Sequence, residues 1–301
     1  MTGDPVAHAL GAAISTSVGA KFDITSTQPV GGGCIHAALE VSGKSPAGAR
    51  RYFAKVNEAT SAAMFEAEAE GLAALAAAGC VAVPEVVARG HDEERAWLVL
   101  QWLELAPLAE RSAAALGHAL AAQHRIAQDR FGWPRDNFVG AAPQANGWSD
   151  DWLAFWREKR LHPQLRIAAR NRLPSRMIDR GERLVADCEA FLRNRRVAKS
   201  LLHGDLWSGN AAALAGDRPV VFDPAVYVGD READVAMTEL FGGFPGDFMA
   251  AYRADWNLED GYAVRRNLYN LYHLLNHANL FAGSYVRQAE QSIERLLAEV
   301  S

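Results

Sequence analysis

Short runs of apolar residues alternate with polar positions through the first hundred residues, a pattern that predicts strands. The candidate strands are ITSTQPV (24–30), CIHAALEV (34–41) and RYFAKVN (51–57), separated by the turn sequences VGGG and SGKSPAGA. We expect these three segments to form an antiparallel meander. A helix is predicted ahead of them, near positions 4 to 20.

The next segment, SAAMFEAEAEGLAALAAAG, predicts a helix, because Ser61 can cap its start, alanine and glutamate favour helix, and Gly79 can end it. Two further strand candidates follow, VPEVVARG and AWLVLQW. From about Leu108 onward the pattern is mainly helical. It is interrupted by the strand-like runs KSLLHG and RPVVFD, which the predicted turn NAAALAGD separates. This order of elements predicts an α+β fold.

The length of 301 residues exceeds the usual size of one domain, about 100–150 residues, so either one large domain or two lobes around a cleft would suit it. The clearest hinge candidate lies between Trp102 and Pro107. We therefore expect an N-terminal lobe with a β-sheet over residues 1–102 and a mainly helical C-terminal lobe over residues 103–301.

Composition excludes several classes of protein. Half of the residues are hydrophobic and 22% are charged, which is typical of a globular protein. The net charge of −5 gives no general attraction to nucleic acid or to an anionic membrane. No stretch approaches the ~20 apolar residues that span a bilayer, and the N-terminus lacks the basic flank of a secretion signal, so we expect a cytoplasmic protein. Three scattered cysteines indicate neither a disulfide framework nor a zinc site.

The stretch LLHGDLWSGN (201–210) carries the clearest chemical signal. Asp205 and Asn210 are five residues apart, and Asp223 ends the apolar run VVFD. An amide oxygen and a carboxylate are ligands that Mg²⁺ prefers together with substrate phosphates, while a further carboxylate can accept the proton of a hydroxyl. The spacing therefore indicates phosphoryl transfer to a hydroxyl. The alternative is structural: His203 and Asp205 cap a turn, and Asp223 merely ends a strand.

A phosphoryl-transfer site also needs a cover for the phosphates and a cation beside them. Three glycines, Gly31 to Gly33, lie between two predicted strands, and Lys55 lies in the third. Each has an ordinary alternative, a hairpin turn for the glycines and a solvated edge position for Lys55. The helix that follows carries Glu66, Glu68 and Glu70, any of which could pair with Lys55 or face solvent.

These motifs resemble those of the fructosamine kinase family, which is related to aminoglycoside phosphotransferases, choline kinases and protein kinases. The resemblance covers nearly the whole chain, through stretches such as PVGGGCIHAA, FAKVNEA, MFEAEAEGLAAL, LVLQWLEL and DNFVGAAPQANGWSDDWLAFWREKRLHPQL. HGDxxxxN alone would indicate only the broad superfamily. HGDLWSGN together with DPAVYVGDREADVAMTELFGGF is specific to fructosamine kinases. The family implies a protein-kinase-like bilobal fold.

The resemblance implies a role for each candidate residue. Asp205 is expected to be the catalytic base, Asn210 and Asp223 the magnesium ligands, and Lys55 the clamp on the α- and β-phosphates of ATP. Glu68 best matches the helix glutamate that pairs with the lysine, and Glu66, two residues earlier, is the alternative.

Two further segments are implied to bind the nucleotide. The phosphate-covering loop corresponds to Gly31, Gly32, Gly33 and Cys34, and the adenine-binding hinge to the backbone of Gln101, Trp102 and Leu103. Many relatives have glutamate where this chain has Gln101, and a second tyrosine where it has Val228. The second departure leaves the shape of the substrate pocket open.

Two side chains keep alternative interpretations. Trp207 either packs structurally or, as the resemblance suggests, forms a wall against the apolar face of a sugar. Cys34 either packs structurally or acts as a redox-sensitive thiol beside an anion-binding loop, which in relatives can form an intermolecular disulfide. Four tryptophans, at positions 133, 148, 152 and 156, are expected to pack in the protein, and the basic run 157–176 is expected to be solvated.

The activity implied is ATP- and Mg²⁺-dependent phosphorylation of a ketoamine, free or protein-bound, on the hydroxyl of its third carbon. Such a reaction promotes deglycation. The chain is expected to be a monomer or a redox-linked dimer without nucleic-acid or membrane partners. The alternatives are a kinase for an aminoglycoside or choline-like amine, and a catalytically inactive nucleotide-binding protein. The intact set Asp205, Asn210, Asp223 and Lys55 argues against inactivity.

Overall fold

The computed structural model describes residues 5–31, 36–193 and 195–300. Its first part has two helices and five strands, in the order that the hydrophobic pattern predicts: α1 (Pro5–Val18), β1 (Asp23–Pro29), β2 (Ala37–Ser45), β3 (Gly48–Glu58), α2 (Ala62–Ala78), β4 (Val86–His91) and β5 (Arg95–Gln101). The five strands form one antiparallel sheet in the order β1-β2-β3-β5-β4. The predicted meander is therefore confirmed.

The predicted turn SGKSPAGA is shorter than expected. Strands β2 and β3 continue through most of it, and only Pro46 and Ala47 form the turn. Gly43 lies inside β2, and a β-carbon there would come within 2.4 Å of the Phe22 ring. This glycine marks a close approach of a side chain to a strand, not the end of the strand.

The sheet separates two apolar clusters, and the alternation of side chains in β3 decides which residue faces which cluster. Ala54 and Val56 pack with Leu10 and Ile14 of α1 on one face. Lys55, between them, points to the opposite face, where α2 packs its apolar residues on Leu98 and Leu100. A strand period of two therefore brings the Lys55 ammonium group to α2.

The second part of the described chain is mainly helical. Its elements are α3 (Glu110–His124), β6 (Asn137–Val139), β7 (Ala142–Gln144), α4 (Trp152–Trp156), α5 (His162–Arg170), α6 (Ser175–Asp187), α7 (Glu189–Leu192), β8 (Ser200–Leu202), β9 (Ala211–Leu214), β10 (Arg218–Val221), β11 (Tyr227–Gly229), α8 (Arg231–Met237), α9 (Gly246–Asp255), α10 (Tyr262–Phe281) and α11 (Ser284–Ala298). Its strands pair in two-stranded ladders, β9 with β10, β8 with β11 and β6 with β7. The interpretation of NAAALAGD as a turn was partly wrong, because Ala211–Leu214 forms a strand and only Ala215–Asp217 forms the turn.

The two parts contact each other close to the phosphoryl-transfer motif. Single β-bridges join Ala82 to Val220 and Ala106 to Ala213. Helix α2 approaches the segment after Asp223 so closely that a β-carbon on Gly71 would lie 3.1 Å from the ring of Pro224. The sheet ends at Gln101, and the division into lobes over 1–102 and 103–301 stays a prediction.

Two expectations about the helical part need correction. Arg160 lies in the basic run that was expected to be solvated, yet it is fully buried in a π-helical turn over Arg157–Leu161. Its guanidinium lies 3.9 Å from the centroid of the Tyr227 ring and donates to Asn146 at 3.0 Å. Trp152 and Trp156 are buried as expected, but Trp148 is 46% exposed.

No helix in the described ranges is long and apolar enough to cross a membrane.

Candidate active site

The segment after β8 is held in place by a buried carboxylate from α8. Asp234 accepts hydrogen bonds from the backbone N–H groups of His203 and Gly204 at 2.7 and 2.8 Å, and His124 Nε2 lies 3.2 Å from it. Burial would raise the pKa of Asp234, but the His124 hydrogen bond, the histidine charges and the Gly204 amide outweigh burial and lower it. The carboxylate therefore stays charged and anchors the loop that carries Asp205.

Gly204 is required where it stands. Its φ of +83° belongs to the left-handed region, and a β-carbon would lie 2.0 Å from the carbonyl oxygen of Ala225. The adjacent His203 places Nε2 3.0 Å from the carbonyl oxygen of Phe222, and burial lowers the pKa of this histidine. The HGD motif thus packs directly on the segment that contains Asp223.

Asp205 is nearly enclosed, with 14% of its side chain exposed. Asn210 Nδ2 donates to the backbone oxygen of Asp205 at 2.9 Å and to its Oδ2 at 3.2 Å. Burial, and after it the charge of Asp223, raises the pKa of Asp205 to about 7, although the Asn210 hydrogen bond opposes this shift. A carboxylate with such a pKa can accept a proton near neutral pH.

Lys55 lies between two carboxylates from distant parts of the chain. Its Nζ is 2.7 Å from Oε1 of Glu68 in α2 and 2.6 Å from Oδ1 of Asp223. Burial lowers the pKa of Lys55, but the charges of Glu68 and Asp223 outweigh burial and keep it above its usual value. Asp223 has a left-handed φ of +57°, and such backbone strain is often found at functional sites.

The choice between Glu66 and Glu68 is decided by the face of α2. Glu68 is buried and contacts Lys55 through both carboxylate oxygens, at 2.7 and 2.9 Å. Glu66 and Glu70 instead form ion pairs with Arg135. Helical geometry turns residues two apart to different sides, so only one of the candidates can face the sheet.

Both predicted magnesium ligands, Asn210 and Asp223, offer the oxygen atoms that a divalent cation needs. Asn210 uses its Nδ2 on Asp205, which turns its amide oxygen away from that residue. Asp223 contributes a carboxylate, and the repulsion between Asp205 and Asp223 favours a cation near them. No cluster of three histidine, cysteine or acidic ligands occurs in the part of the chain that the structure describes. Two protein ligands suit Mg²⁺ bound together with phosphates.

The two predicted nucleotide segments follow strands of the five-stranded sheet, β1 and β5, which run in opposite directions. Gly31 is exposed just after β1, where Val30 N–H still donates to Ala38. Gln101 ends β5 and donates its N–H to the carbonyl of Glu85 at 2.8 Å, and Trp102 and Leu103 follow it. The other predicted loop residues, Gly32, Gly33 and Cys34, lie outside the described residues.

Trp207 belongs to a series of side-chain contacts beside Asp205. Its ring lies over Gly209 and meets the edge of Phe241 at 6.3 Å between centroids, and Phe241 contacts His277 at 4.5 Å. One turn back on α10, His273 Nδ1 lies 3.8 Å from Asp205 Oδ1. These contacts run from Trp207 through α10 and return to Asp205. The acceptor ring, named for the role proposed below, consists of the side chains of Asp205, Trp207, Phe241, His273 and His277.

Comparison with known proteins identifies the family. A model described as fructosamine kinase matches residues 6–299. The chain belongs to the fructosamine kinase family. A Synechocystis protein named "Probable ketoamine kinase" is 42% identical over 287 residues, 94% of each chain. The chloroplastic protein-ribulosamine 3-kinase of Arabidopsis thaliana is 36% identical over 282 residues, 93% of this chain and 85% of that protein.

Solved structures agree with this assignment. A Haemophilus somnus protein that carries the fructosamine-3-kinase name matches with a TM-score of 0.84 and 30% identity over 96% of both chains. A variant of an aminoglycoside phosphotransferase has a TM-score of 0.61 at 15% identity and shows the fold alone. The expected family, its kinase-like α+β fold and its class of enzyme, a phosphotransferase, are confirmed.

Several side chains near the site of this fructosamine kinase family member were not predicted from the sequence. His36 contacts Asn57 at 2.9 Å, and burial, followed by the charge of Lys55, lowers its pKa to about 4. His273 and His277 were also missed, although their spacing of four in HLLNH places both on one face of a helix. Phe241 had no signal in the pattern, because its contact with Trp207 depends on tertiary packing.

Proposed function

We propose that the protein is an ATP-dependent ketoamine kinase that phosphorylates the hydroxyl on the third carbon of a sugar-amine adduct. The observation that carries the proposal is the placement of Asp205, a buried carboxylate with a raised pKa, beside the Lys55–Glu68–Asp223 cluster. A base for a hydroxyl and a cation for phosphates are thereby adjacent. The names of the ketoamine kinase and ribulosamine 3-kinase relatives support the choice of acceptor.

In this mechanism Asp205 orients the acceptor hydroxyl and takes its proton. The acceptor oxygen forms a bond to the γ-phosphorus while the bond from that phosphorus to the bridging oxygen breaks, which gives a phosphorylated ketoamine and ADP. Lys55 binds the α- and β-phosphates, held in place by Glu68. A magnesium ion bound by Asn210 and Asp223 would offset negative charge on the phosphates.

The remaining predicted residues bind the rest of the substrates in this proposal. The backbone of Gln101, Trp102 and Leu103 contacts adenine, and the loop of Gly31 to Cys34 covers the phosphates. Trp207 provides an apolar face for the sugar, which suits its half-buried position next to Asp205. Phosphorylation of the third hydroxyl has a chemical consequence: after enolisation toward the amine-bearing carbon the phosphate is allylic, and its departure leads to release of the amine.

The test is a turnover assay with Mg-ATP and three acceptors, a ribulosamine, a fructosamine and an aminoglycoside. We expect phosphorylation of the ketoamines, with the phosphate on the third carbon by NMR. Asp205→Asn should still bind Mg-ATP, seen as a thermal shift, but should lose turnover. Transfer to the aminoglycoside alone, or substantial turnover by Asp205→Asn, would contradict the proposal.

A further inference from the structure

His273 has an unusual environment in the middle of α10. Its side chain is 7% exposed, and its Nδ1 is shielded from solvent without a hydrogen-bond partner in the described ranges. Oδ1 of Asp205 lies 3.8 Å from this Nδ1, which is too long for a hydrogen bond. A buried polar atom without a partner costs about 1–3 kcal/mol, so such an atom requires an explanation.

The histidine is not the cationic half of an ion pair. Burial, and after it the neighbouring His277, lowers the pKa of His273 to about 3. A neutral imidazole has one nitrogen that donates and one that accepts. The imidazole ring packs edge-on against Tyr272, and the backbone oxygen of His273 lies 2.9 Å from His277 Nδ1.

Among the residues that the structure describes, none donates a hydrogen bond to Oδ1 of Asp205. Asn210 donates to Oδ2 at 3.2 Å, while Oδ1 faces His273 Nδ1 across the 3.8 Å gap. A movement of about 1 Å would close this gap to a hydrogen bond. With donors on both oxygens, the carboxylate could no longer rotate about its Cβ–Cγ bond.

We propose that His273 is a positioning residue that donates from Nδ1 to Asp205 Oδ1 and fixes the rotation of the carboxylate toward the acceptor. This inference rests on the proposed function, because Asp205 is taken as the base. Asn210 and His273 then hold the carboxylate from the catalytic loop and from α10, respectively. The proton of the acceptor hydroxyl then transfers to a carboxylate whose orientation is already fixed. Orientation matters, because a misplacement of about 1 Å at such a site can lower the rate about 100-fold.

The experiment compares three substitutions of His273 in the full chain. Asparagine places its amide nitrogen close to the position of Nδ1, glutamine places it closer to Nε2, and leucine removes the donor. We expect kcat to fall about 10- to 100-fold in His273→Leu and His273→Gln, with the KM values for ATP and ketoamine within twofold. His273→Asn should stay within about threefold of the wild-type kcat.

Thermal unfolding and a control variant separate positioning from a structural role. His118→Leu removes an exposed histidine that pairs with Asp255, and it should leave kcat unchanged. If asparagine and glutamine lower kcat equally and in step with the melting temperature, His273 is structural and the inference is wrong. A rise in the ketoamine KM at constant kcat would also overturn it, since His273 would then contact the acceptor. Absence of wild-type turnover with any ketoamine would instead contradict the proposed function.

Discussion

The two sides of the site differ in how they hold their side chains. On the side proposed to bind the nucleotide, Lys55, Glu68 and Asp223 are joined by contacts of 2.6 to 2.9 Å between opposite charges. On the acceptor side, the acceptor ring contains one ionisable carboxylate, Asp205, and otherwise aromatic and neutral groups. The first arrangement suits phosphates, which carry charge, and the second suits a sugar, which presents hydroxyls and apolar C–H faces.

The two sides also depend on different parts of the fold. The charged cluster joins β3, α2 and the segment after β10, so it depends on elements that the fold itself requires. The acceptor ring depends on α10 and on the residues between Asp205 and Asn210. Four substitutions test this division, in order of decreasing expected effect.

Among substitutions in the charged cluster, Asp223→Asn should lower turnover most. Asparagine tolerates the left-handed backbone, so the change removes the charge without requiring a new conformation. We expect turnover to fall about 100- to 1,000-fold and the Mg-ATP thermal shift to shrink. Asp217→Asn is the matched control, because Asp217 also has a left-handed φ, of +58°, but lies in a surface turn. Equal effects of both substitutions would contradict a role for the Asp223 charge.

Asp205→Asn should stabilise the fold at alkaline pH. The pKa of Asp205 is about 7 in the folded protein against an ordinary 3.8, so the fold favours its protonated form. Stability is therefore lost as the pH rises from 3.8 through 7, and asparagine avoids this loss. We expect the variant to be more stable at pH 8 by up to about 4 kcal/mol, with no difference below pH 4. Denaturant unfolding at both pH values measures it, and a less stable variant at pH 8 would refute it.

Asp234→Asn tests the anchor that both sides share. The amide cannot accept hydrogen bonds on both of its atoms, so one backbone N–H of the HGD motif loses its partner. We expect a loss of about 3 kcal/mol in the free energy of unfolding at pH 7. Because the pKa of Asp234 is lowered, its contribution is present above the ordinary carboxyl pKa and disappears as the pH falls below it. Asp179→Asn, exposed on α6, should leave stability unchanged, and an equal loss there would contradict the anchoring role.

Trp207→Ala tests whether the indole ring binds the acceptor. Loss of the ring face should raise the KM for the ketoamine about 10-fold, while the KM for ATP stays within twofold. Trp148→Ala is the control, since Trp148 is an exposed tryptophan outside the ring. Steady-state kinetics with each substrate varied in turn would measure both values. An increase in the KM for ATP alone would contradict a role of Trp207 in binding the acceptor.

Much of the fold could be predicted from local patterns. The meander, the helix that follows it and the strands around LLHGDLWSGN depend on hydrophobic periodicity, and all are present. Turns were wrongly predicted where glycine or alanine lies in a strand because of tertiary packing. Gly43 lies in β2 under the Phe22 ring, and Ala211–Leu214 forms a strand paired with β10. The basic run was misjudged at Arg160, because a charge can be buried when aromatic faces and carbonyl oxygens surround it.

The family, the spacing of Asp205, Asn210 and Asp223, and the place of Lys55 in the third strand could all be read from the sequence. These properties depend on residue identity and on periods of local geometry. Tertiary packing was needed to show that Lys55 faces α2 and contacts Glu68, and that His273 faces Asp205 from 68 positions away. The physical reason is that such contacts depend on how helices pack and rotate against a sheet or loop, which no local pattern encodes.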